Sequence, residues 1–147
     1  MGSSFGGLFT LYAMFQEPGL FTRFVAASPA VGFDNESIYN FVKTYKDPGY
    51  PARLYMAFGG LEGNVSQFKK FVDHLGAKGY KDLKMETKIL ENIGHSGSKA
   101  EGFTRGLQWA FERPSLSLEP AVLKQYEGAY EIRPGFNGLV TSEEGRL

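Results

Sequence analysis

Apolar positions follow helical spacing in some stretches of the chain and extended spacing in others. The densest run, residues 4–16, has too many apolar positions for a surface helix and predicts a helix buried against a sheet. Residues 83–90 alternate with a period of two, which predicts a half-exposed edge strand. The other predicted helices cover residues 36–45, 65–79 and 99–113, and the other predicted strands cover residues 21–29 and 53–58.

The predicted strands alternate with the predicted helices. Alternation of this kind requires crossover connections, which are right-handed and build a mainly parallel sheet covered by helices on both faces. The pattern therefore predicts the α/β fold class. In such a sheet the loops at the carboxyl ends of the strands line the ligand site, so these loops are where catalytic residues are expected.

Composition narrows the classes of function. With 147 residues and 42% hydrophobic content, the chain can form one domain with an appendage. Sixteen basic and sixteen acidic residues give a formal net charge of zero, which argues against nucleic acid and anionic membranes as partners. Cysteine is absent and the two histidines lie on different kinds of element, so no disulfide, metal or cofactor is expected. The absence of cysteine fits a cytoplasmic protein of bacterial type and is compatible with a periplasmic one, and no membrane span or signal peptide is visible.

The first seven residues have the form of a nucleophile elbow. Ser4 stands between Gly2 and Gly6, in the pattern G-x-S-x-G, directly before the first predicted helix. A serine on so sharp a strand-to-helix turn needs small neighbours two positions before and after it, and the helix N-terminus favours a developing negative charge. The backbone N–H of Phe5 is the expected oxyanion donor. The alternative is a flexible glycine- and serine-rich start.

Two further loops supply the partners that a nucleophilic serine needs. Glu62 follows the strand at 53–58, and His95 lies in a loop of small residues after the strand at 83–90. The chain order serine, acid, histidine is that of an α/β-hydrolase, with His95 as general base and Glu62 orienting it. Asp34 is a rival acid, although its position after the first strand better suits the substrate pocket, together with Phe33. His74 lies on the polar side of a predicted helix and is expected to face water.

These residues resemble an esterase family of α/β-hydrolases that includes esterase D, the enterochelin and other siderophore esterases, and the antigen 85 mycolyltransferases. The resemblance covers residues 1–113. It is carried by the elbow with Leu8 and Phe9, and by the segments Pro18-Gly19-Leu20-Phe21, Ala26-Ala27-Ser28-Pro29, Gly59-Gly60-Leu61-Glu62 and Gly94-His95. It implies hydrolysis of a small-molecule carboxylic ester through an acyl-enzyme, with Ser4 as nucleophile, Glu62 as acid and His95 as base.

The chain departs from the family at both ends. Family members carry several strands before the elbow, which also supply a second oxyanion donor. We therefore expect residues 1–114 to be the C-terminal part of a hydrolase domain, and residues 115–147 to begin a small β-rich domain, with strands near 123–132, 138–141 and 144–147. The alternative function is a truncated module without activity that forms homo-oligomers through an exposed sheet edge.

Overall fold

Four parallel strands form the central sheet. The computed structural model describes residues 1–47, 49–113 and 118–143, and within them the strands lie in chain order. They are β1 (Gly2–Ser3), β2 (Arg23–Ala27), β3 (Ala52–Gly59) and β4 (Leu83–Leu90). Ser3 pairs with Ala27, Ala27 with Ala57 and Gly59 with Leu90, so all four carboxyl ends lie at one edge of the sheet. The predicted α/β class and mainly parallel sheet are confirmed.

Helices cover both faces of this sheet. They are α1 (Phe5–Gln16), the short turn α2 (Phe33–Glu36), α3 (Ile38–Thr44), α4 (Val65–Gly76) and α5 (His95–Ala110). Buried apolar side chains of α1, α3 and α4 form a large core with one face of the sheet, and the end of α5 packs with the other face. β3 is buried on both sides, which explains why its sequence is a nearly continuous apolar run.

The last helix of the sheet domain starts earlier than the sequence predicts. The expected start was Lys99, with His95 in the preceding loop, whereas α5 begins at His95 itself. Gly94 supplies the extended residue before the helix, and its carbonyl accepts a hydrogen bond from Ser98 N–H at 3.0 Å. The first turn carries small polar residues and therefore shows no apolar periodicity, which is why the pattern missed it.

Residues Met1–Glu112 form one compact unit and Arg113–Leu147 a second. The second contains α6 (Pro120–Leu123), a 3₁₀ turn (Lys124–Tyr126) and an antiparallel hairpin of β5 (Gly128–Arg133) and β6 (Phe136–Val140). The expected strand near 123–132 therefore starts later, because helical turns occupy its first residues. The expected domain boundary after residue 114 and the expected strand at 144–147 lie outside the described residues. No helix in the described part is long and apolar enough to cross a membrane.

Candidate active site

Ser4 occupies a strained turn between β1 and α1. Its backbone angles are φ 57° and ψ −120°, a conformation that costs energy for any residue with a side chain. The surrounding hydrogen bonds hold this conformation: Ser4 N–H donates to the Ala27 carbonyl at 3.0 Å, and the Ser4 carbonyl accepts from Leu8 N–H at 2.9 Å and Ala30 N–H at 3.1 Å. Strain of this kind in a serine at the carboxyl edge of a parallel sheet matches the geometry of a nucleophile elbow.

Of the two glycines that the sequence predicts to be required at the elbow, only Gly2 lacks space for a side chain in the structure. A Cβ on Gly2 would lie 2.1 Å from the carbonyl oxygen of Gly6, so no side chain fits there without moving the backbone. A Cβ on Gly6 would meet nothing within 4 Å, so the expected steric requirement at that position is wrong for the described structure. The second close approach is at Gly7, whose Cβ would lie 3.0 Å from Pro29 Cα.

Glu62 and His95 meet at the same edge. His95 Nδ1 lies 2.6 Å from Glu62 Oε2, and the glutamate side chain is 8% exposed whereas the imidazole is 52% exposed. The other carboxylate oxygen, Oε1, accepts hydrogen bonds from Gly59 N–H at 2.9 Å and from the Ser28 hydroxyl. A buried carboxylate fixed in this way can hold one imidazole tautomer and leave Nε2 open toward a reacting group.

The Ser4 hydroxyl, unlike the side chains of Glu62 and His95, makes no hydrogen bond among the described residues. The hydrogen bonds of the described residues join Glu62 to His95 but include none between His95 and Ser4. Loose contacts between nucleophile and base are common in ligand-free enzymes and tighten when substrate binds. The structure therefore brings together the predicted acid and base, and places the predicted nucleophile at the same edge of the sheet, after β1, which β2 separates from the β3 end that Glu62 follows.

Phe5 and Phe33 are placed where a substrate group could contact them. Phe5 is the first residue of α1, so its N–H has no carbonyl four residues earlier in the helix to bond. The two rings pack edge to face, with centroids 5.0 Å apart. Both rings line a pocket of about 230 Å³ between α1 and α3. The rest of its lining is largely apolar: Leu8, Phe9, Tyr12, Ser37, Ile38 and Phe41.

Asp34 is not among the residues that line this pocket, and no hydrogen bond among the described residues joins it to His95. It is exposed, and its carboxylate makes no hydrogen bond among the described residues. Asp34 and the next two residues of α2 all have positive φ, between 49° and 62°. Glu36 anchors this strained turn, because its carboxylate accepts from Gln67 at 3.1 Å and from Lys70 at 3.1 Å. The hydrogen bonds from Gln67 and Lys70 lower the pKa of Glu36 below its ordinary value.

The environment of His74, the second histidine, differs from the predicted one. The ring of His74 packs against Tyr39 with centroids 4.8 Å apart, and its Nε2 atom is buried with no hydrogen-bond partner in the described structure. The expectation that His74 simply faces water is therefore wrong, because α3 covers that side of α4. Among the described residues, no group of three His, Asp or Glu side chains could hold a metal ion.

Two buried serines beside Glu62 had no role in the sequence analysis. Ser28 is 1% exposed and Ser98 is fully buried, and their hydroxyl oxygens lie 2.6 Å apart. The only sequence signal was the Ala-Ala-Ser-Pro segment, which entered as part of a resemblance and not as a contact with the acid. Residues 28, 62 and 98 are too far apart in the chain for spacing to relate them.

Solved structures that include siderophore hydrolases share this fold. The chain aligns with the BES protein from Bacillus cereus with TM-score 0.69 and 20% identity, over 74% of this chain and 43% of that one. It aligns with the siderophore hydrolase EstB from Aspergillus nidulans with TM-score 0.57 and 21% identity, over 78% and 50%. For the enterobactin and salmochelin hydrolase IroE, the TM-score is 0.58 and the identity 22%, over 76% and 45%.

Comparison of sequences matches a smaller part of the chain than comparison of structures. No protein-family model matches the chain. A stretch of 37 residues is 49% identical to a siderophore enterobactin esterase from Emericella nidulans, covering 25% of this chain and 12% of that protein. The chain thus spans half or less of the solved chains it matches.

The fold is that of part of an α/β-hydrolase, with a short antiparallel hairpin at its C-terminal end. The predicted resemblance to the siderophore-esterase type of hydrolase is confirmed, since these are the proteins that the chain matches in structure.

Proposed function

We propose that the chain carries the catalytic residues of a serine esterase, with residues 1–114 as the C-terminal part of the hydrolase domain. The observation that carries the proposal is the 2.6 Å contact between Glu62 and His95, made at the sheet edge where Ser4 has its strained conformation. The solved relatives support an ester-hydrolysing function in general.

In the proposed reaction, Ser4 Oγ attacks the carbonyl carbon of a carboxylic ester while its proton passes to His95 Nε2. The tetrahedral oxyanion accepts a hydrogen bond from Phe5 N–H. The C–O bond to the alcohol then breaks, and the alcohol leaves with the proton from His95. Water, deprotonated by His95, hydrolyses the acyl-enzyme and restores Ser4. Glu62 stays ionised and stabilises the imidazolium in both halves.

The pocket between α1 and α3 is the proposed site for the apolar part of the substrate, because Phe5, one of its lining residues, directly follows the nucleophile. Phe33 would contact that group across the pocket mouth. Asp34, also a predicted substrate residue, would act from the exposed surface beside Phe33. Comparing kcat/KM for substrates of graded acyl size tests these assignments.

The chain offers matched controls for the decisive experiment. A fluorophosphonate probe should label wild-type protein and Ser3→Ala but not Ser4→Ala, because Ser3 lies in β1 without the elbow geometry. Hydrolysis of p-nitrophenyl butyrate should be lost in His95→Gln and retained in His74→Gln. The esterase proposal fails for this chain if Ser4 is not labelled and the ester is not cleaved while circular dichroism shows native secondary structure.

A second candidate, an oligomerising module, is favoured by the exposed aromatic side chains of α1. Phe5 and Phe9 are 60% and 66% exposed, and β1 pairs on one side only among the described strands. Apolar surface of this kind promotes association. Sedimentation velocity over a range of concentrations tests this candidate, and a monodisperse monomer with a cooperative melt would contradict it.

A further inference from the structure

We propose that Ser28 is a positioning residue of the candidate active site: its hydroxyl holds the Glu62 carboxylate so that the second carboxylate oxygen faces His95, and the Ser98 hydroxyl packs against it. The inference rests on the proposed function in one respect, namely that His95 acts as a base. Its geometric basis is independent of activity.

The Glu62 carboxylate has different partners on its two oxygens. Oε1 accepts from Gly59 N–H at 2.9 Å and from the Ser28 hydroxyl, whereas Oε2 contacts His95 Nδ1 at 2.6 Å. Hydrogen bonds to an ionised acceptor are stronger than bonds between neutral groups. Two donors on Oε1 therefore prevent rotation of the carboxylate, which leaves Oε2 directed at the imidazole.

The backbone of Ser28 is specialised for this contact. Its φ of 42° lies in the left-handed region, which is uncommon for a residue with a side chain. The conformation is held where β2 ends, because Ser28 N–H donates to the Ala57 carbonyl at 2.7 Å. Glycine would adopt this backbone without strain, so the serine hydroxyl is the feature that distinguishes the residue present here.

Ser98 lies between the same hydroxyl and the histidine backbone. Its Oγ is 2.6 Å from Ser28 Oγ and 2.8 Å from the His95 carbonyl oxygen. Because Ser28 donates its one hydroxyl proton to Glu62, the single proton of Ser98 goes either to Ser28 Oγ or to the His95 carbonyl. When it goes to Ser28 Oγ, that oxygen accepts from Ser98 while it donates to Glu62, and the Ser28–Glu62 bond is strengthened.

A double-mutant cycle separates a positioning role from a merely structural one. Ser28→Ala should lower kcat for p-nitrophenyl butyrate by about 10- to 100-fold, the effect seen when a partner that orients a metal ligand is removed, with KM little changed. In a Glu62→Gln background the same substitution should cost almost nothing further, because Ser28 acts through Glu62. Ser66→Ala, an exposed serine on α4, is the control and should match wild type. Losses that multiply in the double variant, or full activity in Ser28→Ala, would overturn the proposal.

Proton NMR supplies a readout that needs no catalysis. A His Nδ1–H bonded to a carboxylate gives a low-field resonance, which His74→Gln should retain and Glu62→Gln should lose. Ser28→Ala should weaken or remove this resonance. Ser28→Gly should do the same, and because glycine adopts the positive φ without strain, its loss of the resonance cannot be attributed to misfolding. A resonance that persists in a folded Ser28→Gly protein refutes the positioning role. If the resonance behaves as expected but Ser4 is never labelled, positioning stands and the esterase proposal alone fails.

Discussion

Close packing of α5 on the sheet leads to a sharp stability prediction at Gly106. A Cβ built there would lie 2.4 Å from Val25 Cγ1 and 2.8 Å from Tyr55 Cδ1. Favourable contacts between carbon atoms occur at about 3.5 to 4.0 Å, so the added methyl group would overlap one side chain by roughly 1 Å. Both neighbours are buried in the central strands β2 and β3, where repacking is restricted.

The magnitude of the effect of Gly106→Ala follows from two opposing contributions. Replacing glycine by alanine inside a helix stabilises it by about 1 kcal/mol. Overpacking a well-filled core costs about 1–3 kcal/mol, and the upper part of that range applies because both contacts are tight and buried. We expect Gly106→Ala to reduce the free energy of unfolding by about 1–2 kcal/mol, and to lower the melting temperature by roughly 4 to 8 °C.

Gly76→Ala is the matched control. It lies in the last turn of α4, where a Cβ would meet only a methionine methyl group at 3.9 Å, an ordinary contact. The same chemical change should therefore leave stability unchanged or raise it by a few tenths of a kcal/mol. Urea unfolding followed by circular dichroism measures both variants. If the two variants have the same free energy of unfolding, the inference that α5 packs too closely on the sheet to admit a methyl group at position 106 is refuted.

Three further predictions test the elbow, the core and the pocket. Gly2→Ala should abolish fluorophosphonate labelling of Ser4, because its Cβ would overlap the Gly6 carbonyl, whereas Gly6→Ala should still be labelled; equal behaviour of the two variants would contradict the elbow geometry. Burial raises the pKa of Tyr45 above its ordinary value of 10.0, so its contribution to stability is constant below that pH and is lost as the pH rises above it. The urea midpoint should fall less at alkaline pH in Tyr45→Phe than in wild type, and identical pH dependence would refute this. Phe33→Ala should reduce kcat/KM for p-nitrophenyl butyrate about tenfold relative to the acetate, and an unchanged ratio would exclude Phe33 from acyl binding.

Much of the fold could be predicted from local patterns. The period of two in β4 survives because this strand lies at the sheet edge, with one face packed and the other exposed. The apolar run of β3 is equally readable because both of its faces are buried. The start of α5 could not be predicted, since its first turn has small polar residues and no apolar periodicity, and its contacts with Glu62 and Ser28 join residues distant in the chain.

The candidate site could be predicted only in part, because its contacts join residues that are distant in the chain. Glu62 and His95 could be predicted as candidates because each follows a predicted strand and the ends of parallel strands converge at one edge, and Ser4 because its glycines have the elbow pattern. The choice between Glu62 and Asp34 as the partner of His95 depended on which carboxylate lies within hydrogen-bond distance in space. No spacing along the chain carries that information.

Local sequence alone predicted the alternation of the longer strands and helices, the sharp serine turn and the residue types available for chemistry, because periodicity and glycine placement act over a few residues. The tertiary structure decided which of these residues meet. It brought Ser28 to the Glu62 carboxylate and Ser98 to Ser28, and it covered the His74 nitrogen with α3. It also left space for a side chain at position 6, where the sequence predicts that none fits. Contacts between residues distant in the chain form only when the strands pair in register and the helices pack on them, and no local pattern encodes that geometry.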